Sequence, residues 1–190
     1  MDKRLRNIKP IIQAIQSDRD PEPALDHTLI SMPKEGLQRI ILELIKASLT
    51  DDRYIPVFDL LHARFPDKVS ILKGKALVCD PDYPNEAIAA LSKAIALLHQ
   101  KREDHPDIVE FYFWAGRVHE KQDELYQAIA AYSLAISHYN PCKVNINKYI
   151  DSLYNRAMLY LRTNQKDRGK KELNVFFDEL SKAKKLQGSR

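Results

Sequence analysis

The chain reads as an all-α protein of stacked, antiparallel helix pairs, and three features of its 190 residues say so. Apolar residues recur at helical spacing, and no segment alternates for long with a period of two. Gly74, Gly116 and Gly169 fall inside helical patterns. Glycine there costs on the order of 1 kcal/mol against alanine and is retained where a neighbouring helix packs too close for a side chain. Finally, Ala87-Ile88-Ala89-Ala90 returns as Ala128-Ile129-Ala130-Ala131, and the same interval of 41 residues reaches Gly169, with Leu173 one turn on.

Taken in order, Ile11, Ile12 and Ile15 mark a short amphipathic element. The polar, proline-bearing Asp18-Arg19-Asp20-Pro21-Glu22-Pro23 reads as a linker, so residues 1–33 are expected to form an N-terminal helix and its tether. Leu37, Ile40, Ile41, Leu44, Ile45 and Leu49 set the stripe of a helix. Ile55 to Phe65, with Val57, Phe58, Leu60 and Leu61, supplies its partner. This pair lacks the small residues of the later ones, which suits a cap on a stack of repeats. Pro56, Pro84 and Pro106 each stand where a helix begins, where a missing N–H costs nothing. The expected units are 34–66, 67–104, 105–145 and 146–186, eight helices in four pairs, followed by a frayed tail at 187–190.

The clearest unit runs from Tyr112 to Pro141. Trp114-Ala115-Gly116 is followed by Ala128, Tyr132, Ala135 and Asn140-Pro141. This pattern resembles the tetratricopeptide repeat, in which a bulky and a small residue mark the first helix and a small residue opens the second. An aromatic and an alanine then follow, and proline closes the unit. Arg156-Ala157 and Tyr160 fill the corresponding places of a weaker repeat. The 41-residue spacing exceeds the usual figure of roughly 34 by about two helical turns, which lengthens the helices without rotating their apolar face. In that respect the chain resembles the long-repeat variant of kinesin light chains and of some bacterial peptide-sensing regulators. The resemblance implies a right-handed solenoid whose first helices line a concave face.

Composition narrows the function. With 44% hydrophobic and 29% charged residues, no stretch of about 18 uncharged apolar residues is present, and a membrane span is not expected. The basic N-terminus is followed by no apolar core of a signal peptide, because Gln13, Gln16, Ser17 and Asp18 interrupt it. Cys79 and Cys142 form neither a CxxC pair nor a disulfide framework and read as free thiols, so a cytoplasmic location is expected. The net charge is +4, and the basic excess lies in residues 161–190, with nine Lys/Arg against four Asp/Glu.

Catalytic signatures are missing. The glycines are too dispersed to cradle a phosphate. His119-Glu120 is followed by no second histidine at zinc-site spacing, and no Gly-x-Ser-x-Gly turn occurs. No enzyme activity, metal or cofactor is expected.

What remains is binding. The resemblance nominates Ile71, Lys75 and Val78 on one groove-side helix, Phe113, Arg117 and Glu120 on the next, and Tyr154, Met158 and Leu161 on the third. Of these, Lys75, Phe113, Arg117, Glu120, Tyr154, Met158 and Leu161 form the expected partner-binding set. Apolar groups would bury a partner's side chains, and the cations would pair with its carboxylates. The lysine–asparagine pair of related clamps that grip acidic chaperone termini is absent, Asn155 being the sole asparagine near such a place. Length and the leading helix resemble the tetratricopeptide chaperones of type III secretion, with a longer repeat. The expected function is a protein-interaction module, an adaptor, scaffold or chaperone, with a homodimer as one permitted state. The alternative is RNA binding through a basic solenoid, carried by Lys170, Lys171, Lys182, Lys184 and Lys185.

Overall fold

The structure is a computed structural model. It describes residues 8–30, 36–48, 51–80, 82–100, 105, 107–141 and 146–188, with side chains to 185. Among these the regular structure is helical, with no strand. The chain divides into two compact units, Met1–Lys93 and Ala94–Arg190.

The first unit holds α1 (Lys9–Gln16), α2 (Glu22–Ile30), α3 (Gly36–Ser48), a 3₁₀ turn (Asp52–Tyr54), α4 (Ile55–Arg64), α5 (Val69–Cys79) and the start of α6 (Pro84–Gln100). Pro10, Pro56 and Pro84 all fall in a first turn, as their missing N–H requires. Pro106, Leu49 and Cys142 lie outside the described residues. The leading element does not dangle within this unit. Ile11 and Ile15 are buried, and the Ile8 amide donates to the buried Glu43 carboxylate of α3 at 3.1 Å.

Two features depart from the sequence expectation. The stretch read as linker gives way at Glu22 to a helix, α2. Pro21 and Pro23 flank its first residue, where proline is tolerated. Leu25 and Thr28, one turn apart, are its buried residues. Arg64 of α4 holds it through Glu22 at 2.9 Å and Asp26 at 2.7 Å. So few buried contacts leave no apolar stripe to read. At the other end α10 continues to Gly188, so Gln187 and Gly188 are helical rather than frayed.

The second unit holds the end of α6, then α7 (Asp107–Lys121), α8 (Leu125–Ser137), α9 (Ile146–Arg162) and α10 (Lys166–Gly188). Consecutive helices pack on one another from α7 to α10, and α7 also touches α9. The core is Phe111, Phe113 and Val118 of α7, Ala128, Tyr132 and Ala135 of α8, and Leu153, Ala157 and Leu159 of α9. Each such large side chain contributes about 1.5–3 kcal/mol by leaving water. Tyr132 is fully buried on Gly116, where a Cβ would come within 2.6 Å of its ring. Gly169 is closed in the same way by Leu161.

The repeat interval is visible in burial and in backbone. Ala87, Ala128 and Gly169, each 41 residues from the next, are all buried. Asp123 and Asn164, also 41 apart, both take left-handed φ, of 58° and 60°. Each sits in a closure that returns an amide to the last turn of the preceding helix, Glu124 to His119 at 2.9 Å and Gln165 to Tyr160 at 2.8 Å. Asp and Asn are the residues that tolerate this conformation after glycine.

Candidate interaction site

In the second unit a cavity of about 460 Å³ is walled by Phe113, Trp114 and Arg117 of α7, by Lys148, Ile150, Asp151, Tyr154 and Asn155 of α9, and by Phe176 and Leu180 of α10. Residues three and four apart on a helix share a face, so α7 presents 113, 114 and 117 together and α9 presents 148, 151, 154 and 155. Rings dominate. Phe113 and Trp114 meet edge to face at 5.5 Å, and Tyr154 leans on Phe176 at 5.3 Å.

The charges are arranged unequally. The Lys148 ammonium lies 4.3 Å from the centre of the Phe113 ring and 5.2 Å from that of Trp114, with the Asp151 carboxylate at 3.6 Å. Arg117 is exposed on the wall and has no hydrogen bond or ion pair with any described residue. Asn155 is oriented from beneath: its amide donates to the Tyr132 hydroxyl at 3.3 Å, which donates to Glu120 at 3.0 Å. Burial, reinforced by the charge of Glu120, holds the Tyr132 phenol well above its ordinary range, so the hydroxyl stays protonated and keeps both bonds.

The residues nominated from sequence separate into four groups. Phe113, Arg117 and Tyr154 come together around this cavity. Tyr154 is 44% exposed, whereas Phe113 is 3% exposed, its ring forming the cavity floor under Lys148. Met158 lies one turn beyond Tyr154 and is 36% exposed, outside the cavity wall. Glu120 and Leu161 are engaged internally. Glu120 takes the Tyr132 hydroxyl and Arg162, and Leu161 covers Gly169.

Lys75 lies in the first unit, with Asp59 at 2.7 Å and Glu86 at 3.6 Å. Burial opposes its charge, but the Asp59 hydrogen bond and both carboxylates raise its pKa above the ordinary value. Its neighbours Ile71 and Val78 are buried. A smaller cavity of about 330 Å³ beside it is lined by Asp52, Ile55, Pro56, Asp59, Tyr83 and Glu86.

Sequence reasoning missed Trp114, Lys148, Asp151, Phe176 and Leu180 as wall residues. In the sequence Trp114 carries the repeat signature, and the groove position falls on its neighbour Phe113. The signal for Lys148 and Asp151 is present: they precede Tyr154 and Asn155 by two turns and by one turn of the same helix, respectively. Cys79 is buried, and desolvation pushes its thiol up to about 11, which disfavours the nucleophilic thiolate. Among the described residues no helix is long and apolar enough to cross a membrane, and no cluster of three metal-ligating side chains occurs.

Consecutive packing of α7 to α10, small residues under large ones at Gly116 and Gly169, and a repeat interval of 41 residues mark a tetratricopeptide-like helical-repeat protein. The chain belongs to that fold class, an all-α solenoid of antiparallel helix pairs. It is 35% identical over 114 residues to mouse tetratricopeptide repeat protein 5, a match covering 60% of this chain and 22% of that protein. The chain thus spans about a fifth of that relative's length. Among solved structures it resembles the crystal structure of the MamA protein, with a TM-score of 0.65 at 18% identity over 97% of this chain and 96% of the other. A MamA RS-1 ArsTM double mutant gives 0.62 at 15% identity, over 96% and 98%. At these identities the likeness is one of fold. No protein-family model matches the chain.

Proposed function

We propose that the chain is a protein-interaction module, an adaptor or chaperone of the cytoplasm, whose repeat region spans 34–186 and which holds a segment of a partner protein in the α7–α9–α10 cavity. The likeness to tetratricopeptide-like proteins supports a protein partner in general terms. The observation that carries the site is Arg117: an exposed guanidinium, with no hydrogen bond or ion pair to a described residue, on the wall of an aromatic-lined cavity. Fixed aromatic anchors beside an uncompensated cation are what hot spots of protein interfaces are made of. Glu120 and Leu161 act from behind as supports, and Met158 extends the apolar surface along α9.

The test is affinity capture from the native source with the parent and with Arg117→Glu/Tyr154→Ala, both residues being exposed. A partner retained by the parent should be lost by the variant while helical circular dichroism is unchanged. Equal capture by a folded variant would move the site elsewhere. Phe113→Ala is unsuited to this purpose, since emptying a buried phenylalanine costs about 3–5 kcal/mol and confounds binding with folding.

A further inference from the structure

Away from the cavity, three rings of the second unit meet where two helices end. His99 lies in the last turn of α6, Tyr112 is on α7, and His138 caps the C-terminus of α8. The His138 imidazole stacks on the Tyr112 ring with centres 5.4 Å apart, and the Tyr112 hydroxyl is 3.2 Å from the His99 Nε2. The two imidazoles stand 5.7 Å apart between ring centres, inclined at 60°. His99 is exposed and His138 half-buried, so solvent reaches both. His105 and His119 have carboxylates beside them, Asp107 at 3.6 Å and Glu124 at 2.6 Å, whereas His99 and His138 have no such partner among the described residues.

We propose that His99 and His138 together hold a divalent transition-metal ion of the zinc and copper class, which clips the end of α6 to the end of α8. Distance is the first support. Imidazole nitrogens bind such ions at about 2.0–2.1 Å, which sets the centres of two rings sharing one ion roughly 5–6 Å apart. The pair already stands within that span, so binding asks for rotation of the rings and not for a rebuilt backbone. The second support is electrostatic. Each helix C-terminus carries about half an elementary negative charge on its unpaired carbonyls, and two such ends converge here. Two imidazolium ions this close repel each other, whereas one dication shared by two neutral rings answers both helix ends. Imidazole suits zinc and copper and is a poor ligand for magnesium or calcium, which fixes the class of ion. Water fills the remaining coordination positions, and the Tyr112 hydroxyl beside His99 is placed to hydrogen-bond to it. The two histidines are far apart in sequence, so no spacing rule joins them and only the fold does.

The intact chain, carrying no affinity tag and with its accessible thiols alkylated, is titrated calorimetrically with Cu²⁺, Zn²⁺ and Mg²⁺. Cu²⁺ should bind one equivalent, Zn²⁺ at least about tenfold more weakly, and Mg²⁺ not at all. His99→Gln and His138→Gln should each weaken Cu²⁺ and Zn²⁺ binding at least about tenfold while helicity stays at the parental level. His105→Gln and His119→Gln should leave it unchanged. Saturating Zn²⁺ should raise the melting temperature of the parent and not that of His99→Gln, because only the folded chain brings the two rings together. Electron spin resonance of the Cu²⁺ form should show coupling to two nitrogens, reduced to one in either variant. No binding by the parent, or binding that survives both substitutions, makes the three rings a packing cluster and overturns the proposal. Loss on His105→Gln or His119→Gln alone places the metal elsewhere and overturns it as well.

Discussion

At the scale of single residues the molecule turns on contacts that leave no room for a methyl group. Gly116 is the sharpest of these: an added Cβ would approach the Tyr132 ring to 2.6 Å, and that ring is fully buried and tied through its hydroxyl to Glu120 and Asn155. Two effects compete in Gly116→Ala. Helix propensity favours alanine by about 1 kcal/mol, while overpacking against an immobile ring costs about 1–3 kcal/mol. The second wins, because the ring moves only by giving up its hydrogen bonds. Gly116→Ala should therefore be destabilised, and Gly116→Leu severely so. Thermal or urea unfolding measures both, and a parental stability for Gly116→Leu would contradict the packing described. The crossing itself was legible, since a glycine within a helical stripe has few other reasons to exist. The fate of Phe113 was not. Sequence places it on the same stripe as Arg117, but a rotation of the helix by a few tens of degrees separates floor from wall, and no periodicity resolves that angle.

At the scale of elements the last two helices are joined by a polar contact as well as by core packing. Arg156 of α9 pairs with Glu172 of α10, its Nε donating at 3.1 Å, and its Nη1 reaches Ser133 of α8 at 2.9 Å. Both side chains are mostly buried, with 17% and 16% exposure. Removing one partner leaves the other desolvated and uncompensated, so Arg156→Ala or Glu172→Ala should cost about 2–4 kcal/mol. Replacing both by apolar groups, Arg156→Met/Glu172→Leu, should cost much less than the sum, because no stranded charge remains. A double-mutant cycle in urea reads this directly, and additive losses would mean that the pair is not coupled. Helices α3 to α10 were readable because each carries an apolar stripe or a repeat signature. Helix α2 was not, since Leu25 and Thr28 are its buried residues and two prolines flank its start. Its placement depends on Arg64, which lies about forty positions along the chain.

For the molecule as a whole, the groups whose titration the fold perturbs point predominantly one way. Tyr54, Tyr83, Tyr112, Tyr132 and Tyr149 have phenols raised above their ordinary value of 10.0. Burial is the leading cause in four, and a hydrogen bond to Asp52 in Tyr83. Burial likewise lifts the Cys79 thiol from 9.0 to about 11, and Arg64 and Lys75 are raised by their carboxylate partners. Among the described residues Asp51, depressed by its hydrogen bond from Arg53, runs the other way and acts only in acid. Each raised group binds its proton more tightly in the folded than in the unfolded chain, so across that range the native state holds more protons and stability falls as pH rises. The contribution is complete below the ordinary values. For Cys79 it is lost between 9.0 and about 11, on the order of 1–3 kcal/mol. The tyrosines begin to add to that loss above 10.0. The melting temperature followed by circular dichroism should accordingly hold steady from neutral pH to about 9 and then decline steeply, with the phenolate absorbance of the buried rings appearing together with the loss of helix rather than before it. Cys79→Ser would remove the thiol while keeping the volume nearly constant, and should delay the onset of the decline toward the tyrosine range. Full phenolate formation in a chain that is still helical would show that the buried rings do not govern its alkaline limit.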